Sequence, residues 1–152
     1  MPSRATIDEV LAQRDLAFVG VSRDPKRFAN TVYRHLRDGG RLMHPVHRDA
    51  DRIEGDRAVP SIADLPDGIG AVIVMLPADA ALDVVHQAIE RGIPRVWLHR
   101  GFGRGADSRA AVEACCAAGV AVVDGACPLM FAEPVGSFHR VHRVVARRRI
   151  AA

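Results

Sequence analysis

The run Ala71-Val72-Ile73-Val74-Met75-Leu76-Pro77 constrains the fold of this chain more than any other segment. It is wholly apolar, rich in β-branched residues and ended by a proline, so it reads as a strand buried on both faces. Four more short runs share its character: Leu16-Ala17-Phe18-Val19-Gly20-Val21, Leu42-Met43-His44-Pro45-Val46, Arg95-Val96-Trp97-Leu98 and Val120-Ala121-Val122-Val123-Asp124. Segments of helical period lie between them. Asn30 to Asp38 carries Val32, Tyr33 and Leu36 on one face and stops at Gly39-Gly40. Asp79 to Arg91 has Asp79 as its expected cap, Leu82, Val85 and Ile89 as its apolar stripe and Gly92 as its stop. A third helix runs from a cap at Asp107 or Ser108 to Ala118, before Gly119. Doubly buried strands alternating with helices predict an α/β architecture: a doubly wound, mostly parallel sheet of five or six strands with helices on both faces. Ile7 to Gln13 is expected to add a leading helix and Arg57 to Val59 a short edge strand. Pro45 places the end of the second strand at itself or near a bulge.

A length of 152 residues suits one such domain without disulfides or metals. We assign residues 1–136 to it and residues 137–152 to a basic closing helix, amphipathic over Ser137 to Arg149. That helix carries Arg140, Arg143, Arg147, Arg148 and Arg149 and no acids, which leaves 16 of the 21 basic residues to face all 18 acidic ones elsewhere. The net charge of +3 is thus a property of the tail, and the body is slightly acidic, which argues against nucleic-acid binding by the whole domain. No apolar run reaches the roughly 18 residues of a membrane span. Asp8 and Glu9 stand where a signal peptide needs apolar residues, so a cytoplasmic location is expected.

Ligands of open parallel sheets bind outside the carboxyl ends of the strands, where the strand order reverses, and the first strand usually lies there. Its loop, Gly20-Val21-Ser22-Arg23-Asp24-Pro25-Lys26-Arg27-Phe28-Ala29-Asn30, keeps only the first glycine of the dinucleotide fingerprint. It offers instead the Ser22 hydroxyl, Arg23, Lys26, Arg27 and the amides that open the next helix. These are the parts of a phosphate site, because a helix N-terminus carries partial positive charge and unpaired donors. A solvated loop with scattered basic residues is the plain alternative. The second strand ends Val46-His47-Arg48, with Asp49 after it, where an NAD enzyme carries an acid for the ribose hydroxyl. Basic groups there favour a phosphorylated ribose, as in NADP(H) or coenzyme A, unless His47 and Arg48 are ordinary surface residues.

The ordered set Gly20-Val21-Ser22-Arg23-Asp24-Pro25 with Asn30, Pro45-Val46, Val59-Pro60-Ser61-Ile62-Ala63-Asp64-Leu65-Pro66, Val74-Met75-Leu76-Pro77 and Val96-Trp97-Leu98 resembles the CoA-binding domain family. These small proteins are similar to the CoA-binding domain of the succinyl-CoA synthetase alpha subunit. The resemblance spans about Leu16 to Cys127 and implies a Rossmann-like fold that binds coenzyme A or an acyl-CoA. It implies loop contacts from Gly20, Val21, Ser22, Arg23, Lys26, Arg27, Phe28 and Asn30, most of them near the pyrophosphate. Arg48 is implied near the adenosine, Leu76 and Pro77 beside the adenine or pantetheine, and Arg100 and Gly101 near the pantetheine. The chain departs from the family where Val46-His47-Arg48 replaces Val-Asn-Pro, and where Trp97-Leu98-His99-Arg100-Gly101 replaces Trp-Leu-Gln before a glycine. Nothing of the size of the synthetase's phosphohistidine domain follows Cys127, so ligase chemistry is not expected.

No catalytic residue stands out. Cys127 could form a mixed disulfide with the CoA thiol, but a small packed residue at a strand end is the favoured reading. Cys115 and Cys116, adjacent in an Ala-rich helix, suit packing rather than a disulfide or metal knuckle. His99 and Arg100 could polarise a thioester carbonyl or simply cap a loop. Gly101-Phe102-Gly103-Arg104-Gly105 could cradle an anion or form a turn. His139 and His142 lack the further ligands of a metal site. Phe138, Val141 and Val145 suggest a helix packed on the sheet or on a partner, which makes it the expected place for a homodimer or protein contact. The expected ligand is a small nucleotide-bearing molecule, and no membrane partner is expected. An NADP-linked oxidoreductase is the alternative.

Overall fold

The structure, a computed structural model, describes residues 3–99 and 109–133. The expected basic C-terminal helix, Arg100, Gly101 and the glycine loop after them, and His139 and His142 lie outside those residues.

Helix α1 (Arg4–Leu11) opens the chain, earlier than expected, because Ser3 caps it: its Oγ accepts from the Thr6 amide at 3.1 Å. Then follow β1 (Asp15–Val19), α2 (Phe28–Asp38), β2 (Leu42–Val46), the short β3 (Arg52–Ile53) and β4 (Asp56–Arg57), β5 (Ala71–Val74), α3 (Ala78–Glu90), β6 (Arg95–Leu98), α4 (Arg109–Ala117) and β7 (Ala121–Asp124). Five strands form one parallel sheet in the order β2-β1-β5-β6-β7. This is the predicted Rossmann-like class. The chain moves outward from β1 to β2, then crosses back to β5 on the other side of β1, so the order reverses beside β1.

The alternation of side chains along each strand divides the core in two. Leu16, Phe18, Ile73, Trp97 and Val123 face α1, α2 and the returning segment Ala126–Ala132. Ala17, Val19, Val72, Val74, Val96 and Leu98 face α3 and α4. Trp97 is fully buried, and its indole N–H donates to the Ala126 carbonyl at 2.8 Å, which ties the segment after β7 to the sheet.

Three local expectations are corrected. The edge strand predicted at Arg57 to Val59 is reduced to a single parallel bridge of Val59 to Val46, while Arg57 pairs in an antiparallel hairpin of β3 and β4. Both turn residues of the hairpin, Glu54 and Gly55, have positive φ (52° and 86°), as a two-residue type I′ turn requires. Asp79 is not the cap of α3: Pro77 holds that position without a side-chain hydrogen bond, and Asp79 falls in the first turn. Pro45 sits inside β2 rather than ending it. It is tolerated because β2 is an edge strand, where its carbonyl still accepts from the Val59 amide at 3.0 Å.

Candidate functional site

β1 ends at Val19, two residues short of the end of the apolar run, because Gly20 turns the chain. Its φ is +106°, and a Cβ there would overlap the carbonyl oxygen of Met75, just past β5. Glycine is therefore required twice over, by conformation and by the close approach of β5.

The loop after Gly20 is held by side chains. Asn30, 1% exposed, accepts from the Ser22 amide through Oδ1 at 2.9 Å and donates through Nδ2 to the Ser22 carbonyl at 2.7 Å. Ser22 Oγ accepts from the Asp24 amide and Asp24 Oδ1 from the Lys26 amide, both at 3.0 Å. The amides of Val21, Arg23, Phe28 and Ala29 have no acceptor among the described residues, and Arg27, at the N-cap of α2, makes no side-chain capping bond. Two of these N–H groups, those of Phe28 and Ala29, open a helix, an arrangement suited to an anion.

Beside this loop lies a cavity of about 600 Å³. Its floor is Val19, Gly20, Val21 and Ser22, at the point where the strand order reverses. One wall is Val46, His47, Arg48 and Asp49, where β2 ends. A second is Pro60, Ser61 and Ile62, and the third is Leu76 with Ala80, Asp83, Val84 and Gln87 of α3. The volume falls in the range of small-molecule sites, and apolar walls with a few polar groups are their usual make-up. His47 Nδ1 accepts from the Asp49 amide at 3.1 Å, which leaves Nε2 as the ring's donor while the imidazole is neutral.

Of the residues singled out in the sequence, the cavity brings together Gly20, Val21, Ser22, Arg48 and Leu76. Arg23, Lys26, Arg27 and Phe28 belong to the same loop but are exposed and do not line it. Arg27 forms a loose 3.9 Å pair with Asp24. Asn30 faces the loop backbone rather than the cavity, and Pro77 caps α3 just beyond the lining. His99 ends β6 on the opposite face of the sheet, 5% exposed and 5.7 Å from the Phe28 ring, and burial pushes its pKa down. Cys127 also lies away from the cavity. Burial pushes its thiol up, only partly offset by the amides of Leu129 and Met130, as befits a packed residue. Cys115 is buried in α4 and pushed up to about 11, mainly by burial, whereas Cys116 is exposed. Among the described residues no cluster of three or more His, Cys, Asp or Glu could hold a metal ion. No helix there is long and apolar enough to cross a membrane.

The sequence reading missed Ser61, Asp83 and Gln87. A signal existed for the helix: positions 80, 83, 84 and 87 share one face at α-helical spacing, and α3 begins at the carboxyl end of the central strand β5.

The pattern of a family described as "CoA binding domain" matches residues 14–133. YneT, an uncharacterized protein of Bacillus subtilis, is 30% identical over 102 residues, which cover 66% of this chain and 76% of that one. The alpha subunit of the ADP-forming acetate–CoA ligase II of Pyrococcus furiosus is 26% identical over 100 residues. That match spans 64% of this chain but only 22% of the subunit. A solved structure of a hypothetical protein from Pyrococcus horikoshii superposes with a TM-score of 0.75 at 26% identity, covering 97% of this chain and 92% of that one.

Proposed function

The chain belongs to the CoA binding domain family, and from that premise we propose that it binds coenzyme A or an acyl-CoA in the cavity above β1, with no reaction of its own. The observation that carries this reading is the junction of two features at Gly20–Ser22. A cavity large enough for a nucleoside meets a loop whose Val21, Arg23, Phe28 and Ala29 amides have no acceptor among the described residues.

In this reading the pyrophosphate lies over Gly20, Val21 and Ser22, on the amides of Val21 and Arg23. Arg23, Lys26 and Arg27 reach it from solvent as flexible counter-charges. The adenosine enters the cavity against Leu76 and Ile62, and Arg48 at its rim meets the ribose phosphate. Asp49 and Asp83 also line the cavity, and their carboxylates suit a base with donor groups. Arg100 and Gly101 are proposed to meet the pantetheine. The ligand is a small molecule met in the cytoplasm, and the closing helix is left for a second copy or a protein partner.

An oxidoreductase is not favoured. The second and third glycines of the dinucleotide fingerprint are missing, and the relatives described above supply no example. Calorimetry of the full chain with CoA, with NADPH as competitor, tests the reading. One saturable site for CoA that NADPH fails to displace is expected, whereas NADPH binding in preference to CoA would overturn it. At a ligand concentration of 100 times Kd the fold should gain about 2.7 kcal/mol. Arg23→Ala combined with Arg27→Ala should weaken CoA binding, and more so at low salt.

A further inference from the structure

Glu54 occupies a turn position that calls for Asn, Asp or glycine. Its φ of 52° is one that residues with a long side chain rarely adopt, and the turn needs it there. A strained residue kept at such a site suggests that its side chain is used.

The side chain is 11% exposed, and one oxygen receives two donors. Oε1 accepts from Asn30 Nδ2 at 2.8 Å and from Arg34 Nη1 at 2.7 Å. The same Asn30 amide group holds both the N–H and the carbonyl of Ser22, and the same Arg34 nitrogen donates to the Pro25 carbonyl at 3.0 Å. Two points of the loop after β1, Ser22 and Pro25, are thereby referred to a single carboxylate oxygen on the hairpin.

The hairpin does not need this carboxylate to stay in place. Arg37 Nη1 donates to the Glu54 carbonyl at 2.7 Å and to Asp56 Oδ2 at 3.1 Å. The Tyr33 hydroxyl donates to the same Asp56 oxygen at 2.7 Å, and Ile53 is buried in the core. None of these ties uses the Glu54 side chain.

We propose that Glu54, acting through Asn30 and Arg34, is a positioning residue that sets the loop Gly20–Asn30 in its ligand-receiving shape. The inference rests on the reading of that loop as the seat of the CoA pyrophosphate. Without Glu54 the Asn30 amide loses one of its two acceptors and its tie to the hairpin, so its rotamer is held only by the loop it is meant to fix, and Arg34 loses the charge that draws it to Pro25. The amides of Val21 and Arg23 are then no longer held in one orientation, and a ligand must order them on binding.

The test uses the full chain with Glu54→Gly and Glu54→Gln, reading the melting temperature, the hydrogen exchange of the Ser22 amide and the Kd for CoA. Glycine relieves the turn, so Glu54→Gly should melt at or above the wild-type temperature. Its Ser22 amide should nevertheless exchange about tenfold faster, and CoA should bind about tenfold more weakly, as loss of a charged hydrogen-bond partner implies. Glu54→Gln keeps an oxygen for Asn30 and should recover most of the Ser22 protection. Unchanged Ser22 exchange in Glu54→Gly overturns the proposal. So does a lower melting temperature with faster exchange throughout the core, which would mark a merely structural role. If wild-type protein fails to bind CoA, the functional reading falls, and Ser22 exchange in the two variants still decides whether Glu54 positions the loop.

Discussion

Gly20 and Met75 meet backbone to backbone: the place where a side chain on Gly20 would begin is already filled by the Met75 carbonyl oxygen. That approach joins the end of β1 to the end of β5 beside the cavity, whose floor includes Gly20. Gly20→Ala must therefore move β5 or distort the turn, in addition to adopting a positive φ. A loss of at least about 1–3 kcal/mol is expected. Thermal denaturation should show it as a fall of roughly 2–4 °C for each kcal/mol. Wild-type stability in this variant would mean that the close approach is not maintained in solution.

Arg48 sits at the cavity rim, exposed, and its proposed partner is a ribose phosphate. Arg48→Ala should weaken CoA several-fold and leave dephospho-CoA nearly unchanged, because only the former carries the 3′-phosphate. The loss should shrink as salt rises, since the pair is solvent-screened. Calorimetry with both ligands checks this, and an equal effect on both would place Arg48 elsewhere on the ligand.

His99 supplies a pH dependence with a defined sign. Burial lowers its pKa in the folded chain, so the unfolded chain binds the proton more readily. Its penalty is absent well above the ordinary value of about 6.5 and grows as pH falls from there toward the lowered folded value. Wild-type protein should lose more stability between pH 7.5 and pH 5 (assay values near the usual histidine range) than His99→Gln does. Melting curves of the two proteins across that range test it, and parallel pH profiles would contradict a buried neutral imidazole.

The three cysteines should separate by environment. Cys116 is exposed, whereas Cys115 is buried and pushed up to about 11, and burial pushes Cys127 up as well. With a thiol reagent at mildly alkaline pH, Cys116 should react first and the other two only slowly, since the thiolate is the reactive form. Peptide mass mapping of the labelled protein gives the order. Rapid labelling of Cys127 would restore it as a redox thiol.

Much of this fold was legible because the strands are buried on both faces, and Val72 to Val74 and Val96 to Leu98 carry that burial as unbroken apolar runs. The β3–β4 hairpin was not legible, because Glu54 and Gly55 turn the chain without the usual Asn-Gly signature and the strands have two residues each. At the site, Gly20, Ser22, Arg48 and Leu76 could be placed on the cavity from strand ends alone. Asn30 could not be understood that way. Sequence shows a polar residue at the start of a helix, and only its hydrogen bonds show that it holds Ser22. Glu54 lies 24 positions from Asn30, and no periodicity links them.

A crystal structure of the chain with CoA tests the central claim most directly. The account predicts the pyrophosphate within hydrogen-bonding reach of the Val21 and Arg23 amides, and the adenosine in the cavity beside Leu76. CoA bound elsewhere with that corner empty, or no CoA in crystals grown at millimolar ligand, would contradict it.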